Sequence, residues 1–153
     1  MIAQAFEDYL VKQEGAFLTP AENLAVLVDS HNVDHAILLL SQMTYSRIPV
    51  VTDEKKFVGT ISLTDIMAYR MQHDLPEEEF MAMDIVHMTK TNGLTVGVDY
   101  TISEVLHKLI DESFLPVVGD DQHFHGIITR KSILKAVNAL LHDFSSRYEM
   151  KAK

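Results

Sequence analysis

Residues 46–66 are repeated as residues 113–133. At a constant shift of 67 positions, which sets Pro49 on Pro116, nine of the 21 pairs are identical and no gap is needed. They are Ser46/Ser113, Pro49/Pro116, Val50/Val117, Val51/Val118, Asp53/Asp120, Phe57/Phe124, Gly59/Gly126, Ile61/Ile128 and Ile66/Ile133. Unrelated stretches of this length would share roughly one or two at average residue frequencies. A duplicated chain is expected to build two similar units, neither comfortable alone, that bury apolar surface together.

Each copy carries the pattern of a hairpin followed by a helix. Ile48-Pro49-Val50-Val51 is a short apolar run, Thr52-Asp53-Glu54-Lys55-Lys56 a polar turn, and Phe57-Val58-Gly59-Thr60-Ile61 a second run. Proline near the start of the first run suits a strand beginning or an edge. Ser62-Leu63-Thr64-Asp65 has the Ser-x-x-Asp spacing of a capped helix, and Thr129-x-x-Ser132 repeats it. Upstream of each hairpin the pattern predicts a strand and a helix. These are residues 24–28 and a helix over 35–43 in the first copy, N-capped by Asp34 and buried through Leu38, Leu39 and Met43. In the second copy they are residues 94–98 and a helix over 102–112 capped by Thr101. An amphipathic helix over 3–13, stopped by Glu14-Gly15, precedes an extended connector at Phe17-Leu18-Thr19-Pro20. Helices over 63–72 and 130–141 close the two copies, Glu77-Glu78-Glu79 opens a linking turn of helix reaching Met83, and the polar tail from Ser145 is expected to fray.

At 153 residues the chain is long enough for one compact core. It has no ~20-residue apolar run and no secretory signal pattern, so a soluble, cytoplasmic protein without a membrane partner is expected. The lack of cysteine excludes disulfides and thiolate metal sites. A formal charge of −9 disfavours nucleic acid, whose binding rests on clustered Lys and Arg. A small anionic ligand needs only a few local cations and helix N-termini.

The tandem strand-helix-strand-strand-helix unit, with Ser46-Arg47-Ile48-Pro49-Val50 and Gly59-Thr60-Ile61-Ser62-Leu63-Thr64-Asp65, resembles a pair of CBS domains, or Bateman module, over nearly the whole chain. Asn23-Leu24-Ala25-Val26, Thr44-Tyr45-Ser46-Arg47-Ile48-Pro49 and Gly126-Ile127-Ile128-Thr129-Arg130-Lys131 make it similar to the stand-alone cyclic di-AMP-binding CBS proteins of Gram-positive bacteria. The resemblance implies a mixed α/β (α+β) fold with pseudo-two-fold symmetry. It divides the chain into an N-terminal helix (1–16), a first CBS domain (17–75), a second with its linker (76–142) and a tail (143–153). It also implies clefts for adenine nucleotides, regulation of a partner protein, and a homodimer through the last helix of each copy. Relatives are linked to enzymes of alarmone and central metabolism.

By the resemblance, Asp65 accepts ribose hydroxyls; by its spacing alone it caps a helix with Ser62, and the two roles are compatible. Ser132 stands where a second aspartate would, so the two clefts are expected to be unequal. Arg130 and Lys131 lie in a first helical turn, where the macrodipole disfavours cations by about 0.3–1 kcal/mol each. Either they hold a phosphate or they are solvated charges reaching nearby acids. Tyr45, Ser46, Arg47, Ile48 and Pro49 form the approach to the first hairpin, where a base could rest on the Tyr45 ring or against Ile48. Tyr45 could equally be a half-buried residue at a helix end. Asn23, Ala25, Thr64 and Thr129 enter through the resemblance alone. The second copy has Glu112 for Tyr45 and Phe114 for Arg47, which again favours the first as the binding half.

His123-x-His125 offers two imidazoles on one strand face without a third ligand, so no metal site is expected. The apolar positions Ile66, Met67, Met71, Ile133, Leu134, Val137, Leu140 and Leu141 exceed one packed side, and methionine-rich faces adapt to partners. No nucleophile triad, phosphate-cradling glycine loop or paired carboxylates suggests an enzyme. The expected function is a sensor of cyclic di-AMP with no cofactor. The alternatives are a CBS pair for AMP, ADP, ATP or S-adenosylmethionine, or a ligand-free dimeric adaptor.

Overall fold

Both copies of the repeat fold into the hairpin that their alternation predicts. The computed structural model describes residues 2–13, 15 and 17–153. In the first hairpin β3 (Arg47–Val51) pairs antiparallel with β4 (Phe57–Ser62); in the second, β5 (Phe114–Val118) neighbours β6 (Phe124–Thr129). Both turns close through a residue of positive φ, Lys55 at 63° and Gln122 at 68°, which are themselves a repeat pair.

The described residues form two compact units that do not follow the sequence halves. A central unit holds Asn23–Gly93 and Val118–Phe124; a terminal unit holds Met1–Glu22, Leu94–Val117 and His125–Lys153. In the central unit β2 (Leu27–Val28) runs parallel to β3, and Lys90 bridges Thr60 on β4. In the terminal unit β1 (Leu18–Pro20) pairs antiparallel with β6, and Val96 makes a parallel bridge to Val117. Each hairpin thus receives an outer edge from chain that precedes the other copy. The shared glycines explain how: a Cβ on Gly59 would overlap the Lys90 carbonyl, and one on Gly126, at φ +146°, would overlap that of Thr19. Glycine is required where backbones approach this closely.

Helices α1 (Gln4–Lys12), α5 (Ile102–Lys108) and α6 (Arg130–Arg147) cover the terminal sheet. Their core contains Tyr9, Phe17, Val105, Leu115 and Ile128. Helices α2 (Val33–Gln42), α3 (Leu63–Gln72) and α4 (Glu77–Met81) belong to the central unit, around Leu27, Val33, Ile48, Ile61, Ile66 and Ile85.

Several expectations are corrected. Leu18–Pro20 is a strand, not a connector, because Gly126 gives it a partner on β6. Residues 24–26 are irregular, following a 3-10 turn at Ala21–Asn23, and only Leu27–Val28 is strand. Residues 94–98 contribute a single bridge at Val96. Asn32, not Asp34, caps α2 by accepting from the His35 N–H, because the helix opens at the fully buried Val33, two residues before the expected start. Its buried face is Val33, Ala36 and Leu40, while Leu38 is exposed. Helix α5 ends at Lys108, short of residue 112, and α4 at Met81. Helix α6 runs past the expected fray point, since Phe144 packs on Phe6 at 4.9 Å and on Tyr148 at 4.7 Å. Glu14, half of the stop expected after α1, lies outside the described residues.

Candidate functional site

Strand alternation places Arg47, Thr60 and Ser62 on one face at the β4–α3 junction. In the β3–β4 register Arg47 is opposite Ser62, and Thr60, two residues before Ser62, shares its side. Ser62 is the N-cap of α3. Its hydroxyl accepts from the Asp65 N–H at 3.1 Å and the Asp65 carboxylate accepts from the Ser62 N–H at 3.1 Å, completing the capping box that the spacing predicts.

Arg47 ties this junction together. Its Nε donates to Thr60 Oγ1 (3.0 Å), Nη1 to Ser62 Oγ (3.2 Å), and Nη2 to the Thr60 carbonyl (3.3 Å) and to Asp65 Oδ2 (2.6 Å). About a quarter of each side chain of the ion pair remains exposed, 22% for Arg47 and 26% for Asp65.

A cleft of about 550 Å³ opens here, lined by Leu40, Met43, Thr44, Tyr45, Ser46, Arg47, Ser62, Leu63, Thr64 and Asp65. That volume lies within the ~300–1,000 Å³ of small-molecule sites. It gathers the expected Tyr45, Ser46, Arg47, Ser62, Thr64 and Asp65. Leu40, Met43, Thr44 and Leu63 are additions, and the helical spacing of Leu40 and Met43 could have signalled them. Tyr45 is 44% exposed and offers a ring face at the rim. Ile48 and Pro49 are buried in β3 and do not line the cleft, nor do Asn23 and Ala25.

The second copy is built differently at the same positions. Phe114 replaces Arg47 and is buried, Ile127 replaces Thr60, and Ser132 replaces Asp65. Thr129 caps α6 by accepting from the Ser132 N–H, and Ser132 Oγ lies within reach of the Phe17 and Thr129 carbonyls. Arg130 donates from Nε to the Leu109 carbonyl (3.0 Å) and from Nη2 to those of Ile110 (3.3 Å) and Glu112 (3.0 Å). Its unfavourable place at a helix start is therefore offset by the carbonyls beyond the C-terminus of α5, where a cation is favoured. Lys131 is exposed.

Among the described residues no three His, Asp or Glu side chains are placed to hold a metal ion, and no helix is long and apolar enough to cross a membrane.

Two stretches, residues 17–72 and 82–139, match the CBS domain. A crystal structure of a CBS domain protein from Streptococcus pneumoniae TIGR4 is 71% identical, covers 94% of this chain and 98% of its own, and superposes with a TM-score of 0.85. A structure of CbpB in complex with cyclic di-AMP is 44% identical over 95% of this chain and 100% of its own, also with a TM-score of 0.85. Cyclic di-AMP receptor B of Bacillus subtilis is 28% identical over 147 residues, which span 90% of this chain and 95% of the receptor.

Proposed function

The chain belongs to the CBS domain family, with two copies in tandem, and from that premise we propose that it is a regulatory adenine-nucleotide sensor that binds cyclic di-AMP and modulates a partner protein. The observation that carries this reading is the cleft. A helix N-terminus, a carboxylate fixed by its capping box and the rim ring of Tyr45 surround a space of about 550 Å³. The ring offers a base a stacking surface, and the carboxylate accepts from ribose hydroxyls. Likeness to a protein crystallised with cyclic di-AMP supports the choice of ligand.

Arg130 and Lys131, at the start of α6, are proposed as phosphate contacts on their chemistry: the guanidinium edge not given to the α5 carbonyls and an exposed point charge, both at the positive end of a helix. Regulation requires only that the partner favour one ligation state. The same free energy then changes ligand affinity when the partner is bound. The protein is further proposed to act as a homodimer whose partner is an enzyme of alarmone or central metabolism.

A mononucleotide is the second reading, favoured by Asp65 itself. AMP presents two neighbouring ribose hydroxyls to a carboxylate, whereas in cyclic di-AMP the 3′ oxygen is held in the phosphodiester. A thermal-shift panel with cyclic di-AMP, AMP, ATP and S-adenosylmethionine separates the two. A ligand at a hundred times its Kd adds about 2.7 kcal/mol, and so raises Tm by about 5–10 °C for a chain of this size. Cyclic di-AMP is expected to give the largest shift. A larger shift with AMP selects the mononucleotide, and no shift with any compound favours an adaptor without a ligand.

A further inference from the structure

We infer that Arg47 is a positioning residue: it fixes the Asp65 carboxylate for a ribose hydroxyl and does not itself hold the ligand's phosphate. This rests on the nucleotide reading of the cleft and adds to it the origin of its preference for ribose.

Three observations lead there. The first is donor capacity. A guanidinium has five N–H groups, and four are directed at Thr60 Oγ1, Ser62 Oγ, the Thr60 carbonyl and Asp65 Oδ2. At most one is left for a phosphate, too few for the paired bonds that make arginine a strong phosphate ligand. The second is where the carboxylate is held. The Ser62 N–H and Arg47 Nη2 both reach Oδ2, which leaves the lone pairs of Oδ1 for a molecule in the cleft that Asp65 lines. Two donors on one oxygen, with the backbone fixed by the capping box, set the plane of the carboxylate before any ligand arrives.

The third observation comes from the chain's own duplicate. Arg47, Thr60 and Asp65 become Phe114, Ile127 and Ser132, while Ser62 becomes Thr129 and still caps its helix. The helix cap survives without the arginine. The arginine, its threonine and the carboxylate are replaced together, as expected of a group that works as one.

The test uses ligand pairs that differ only in ribose hydroxyls: cyclic di-AMP with its 2′-deoxy analogue, and AMP with 2′,3′-dideoxy-AMP. Affinities are measured by calorimetry for the full chain and for Arg47→Met, Arg47→Lys, Asp65→Asn and Arg47→Met/Asp65→Asn. The parent is expected to prefer the ribonucleotide by about ten- to a hundredfold, as hydrogen bonds to a charged acceptor imply. Arg47→Met should remove most of that preference while leaving affinity for the deoxy member within about twofold, and the double variant should bind no worse than Asp65→Asn. If Arg47→Met fails to fold, Arg47→Lys keeps the cation without the fork. A reduced ribose preference then supports the inference, and an intact preference overturns it. Equal weakening of ribose and deoxy ligands returns Arg47 to a phosphate or purely structural role and overturns it. A parent that binds both members of a pair equally removes ribose recognition by Asp65. A parent that binds neither pair rejects the nucleotide reading itself, a result distinct from any failure seen in the variants.

Discussion

Arg130 illustrates what a single position can and cannot announce. A cation in a first helical turn breaks a local electrostatic rule, which marks it as a residue with a special task. What the sequence could not supply was the partner, because the carbonyls of Leu109, Ile110 and Glu112 face Arg130 only once α5 has ended and β5 and β6 have paired. Arg130→Ala should therefore lower the Tm of the ligand-free protein by about 2–4 °C, the loss of roughly one net hydrogen bond. If Arg130 also meets phosphate, the variant loses more of its cyclic di-AMP response than of its adenosine response. Equal retention of both leaves Arg130 only its place at the end of α5. Ser62 and Asp65 were legible for the opposite reason: a capping box closes within four residues, so spacing alone specifies it.

Among elements, legibility follows the same division. The hairpins and the helices opening at Leu63, Ile102 and Arg130 rest on local alternation and capping, and they stand where the pattern puts them. Strand β1 was missed because it has three residues and finds its partner, Gly126 to Ile128, more than a hundred positions away. The cap of α2 was misplaced because Asn32 and Asp34 both suit the role locally, and the burial of Val33 decides between them. The glycine pair in the repeat held the missing information, since each marks where foreign backbone crosses a hairpin. Gly59→Ala should displace Lys90 from the edge of β4 and cost about 1–3 kcal/mol in chemical unfolding, as overpacking does. Gly126→Ala should cost more, because its φ of +146° adds strain to the same overlap. Alanine tolerated at both positions would mean that neither edge pairing contributes to stability.

At the scale of the whole molecule, the apolar excess of the two closing helices divides into buried and exposed positions, with Val137 half-buried between them. Ile66, Ile133 and Leu140 are buried, whereas Met67 (57%), Met71 (85%), Leu134 (60%) and Leu141 (73%) are exposed. Such residues recur at helical spacing on α3 in the central unit and on α6 in the terminal unit, and each helix face is proposed for the homodimer. Sedimentation should give a dimer for the parent and a monomer for Met71→Glu/Leu141→Glu, with unchanged circular dichroism. A variant that stays dimeric moves the interface elsewhere. The interleaving of the two units also orders events on the ribosome. Asn23–Gly93 emerges as one stretch, but Tyr9, Leu10 and Phe17 must wait for β6 and α6, more than a hundred residues later. At 5–20 residues per second that delay is on the order of ten seconds. A nascent chain therefore carries α1 without a core to join until α6 has been made.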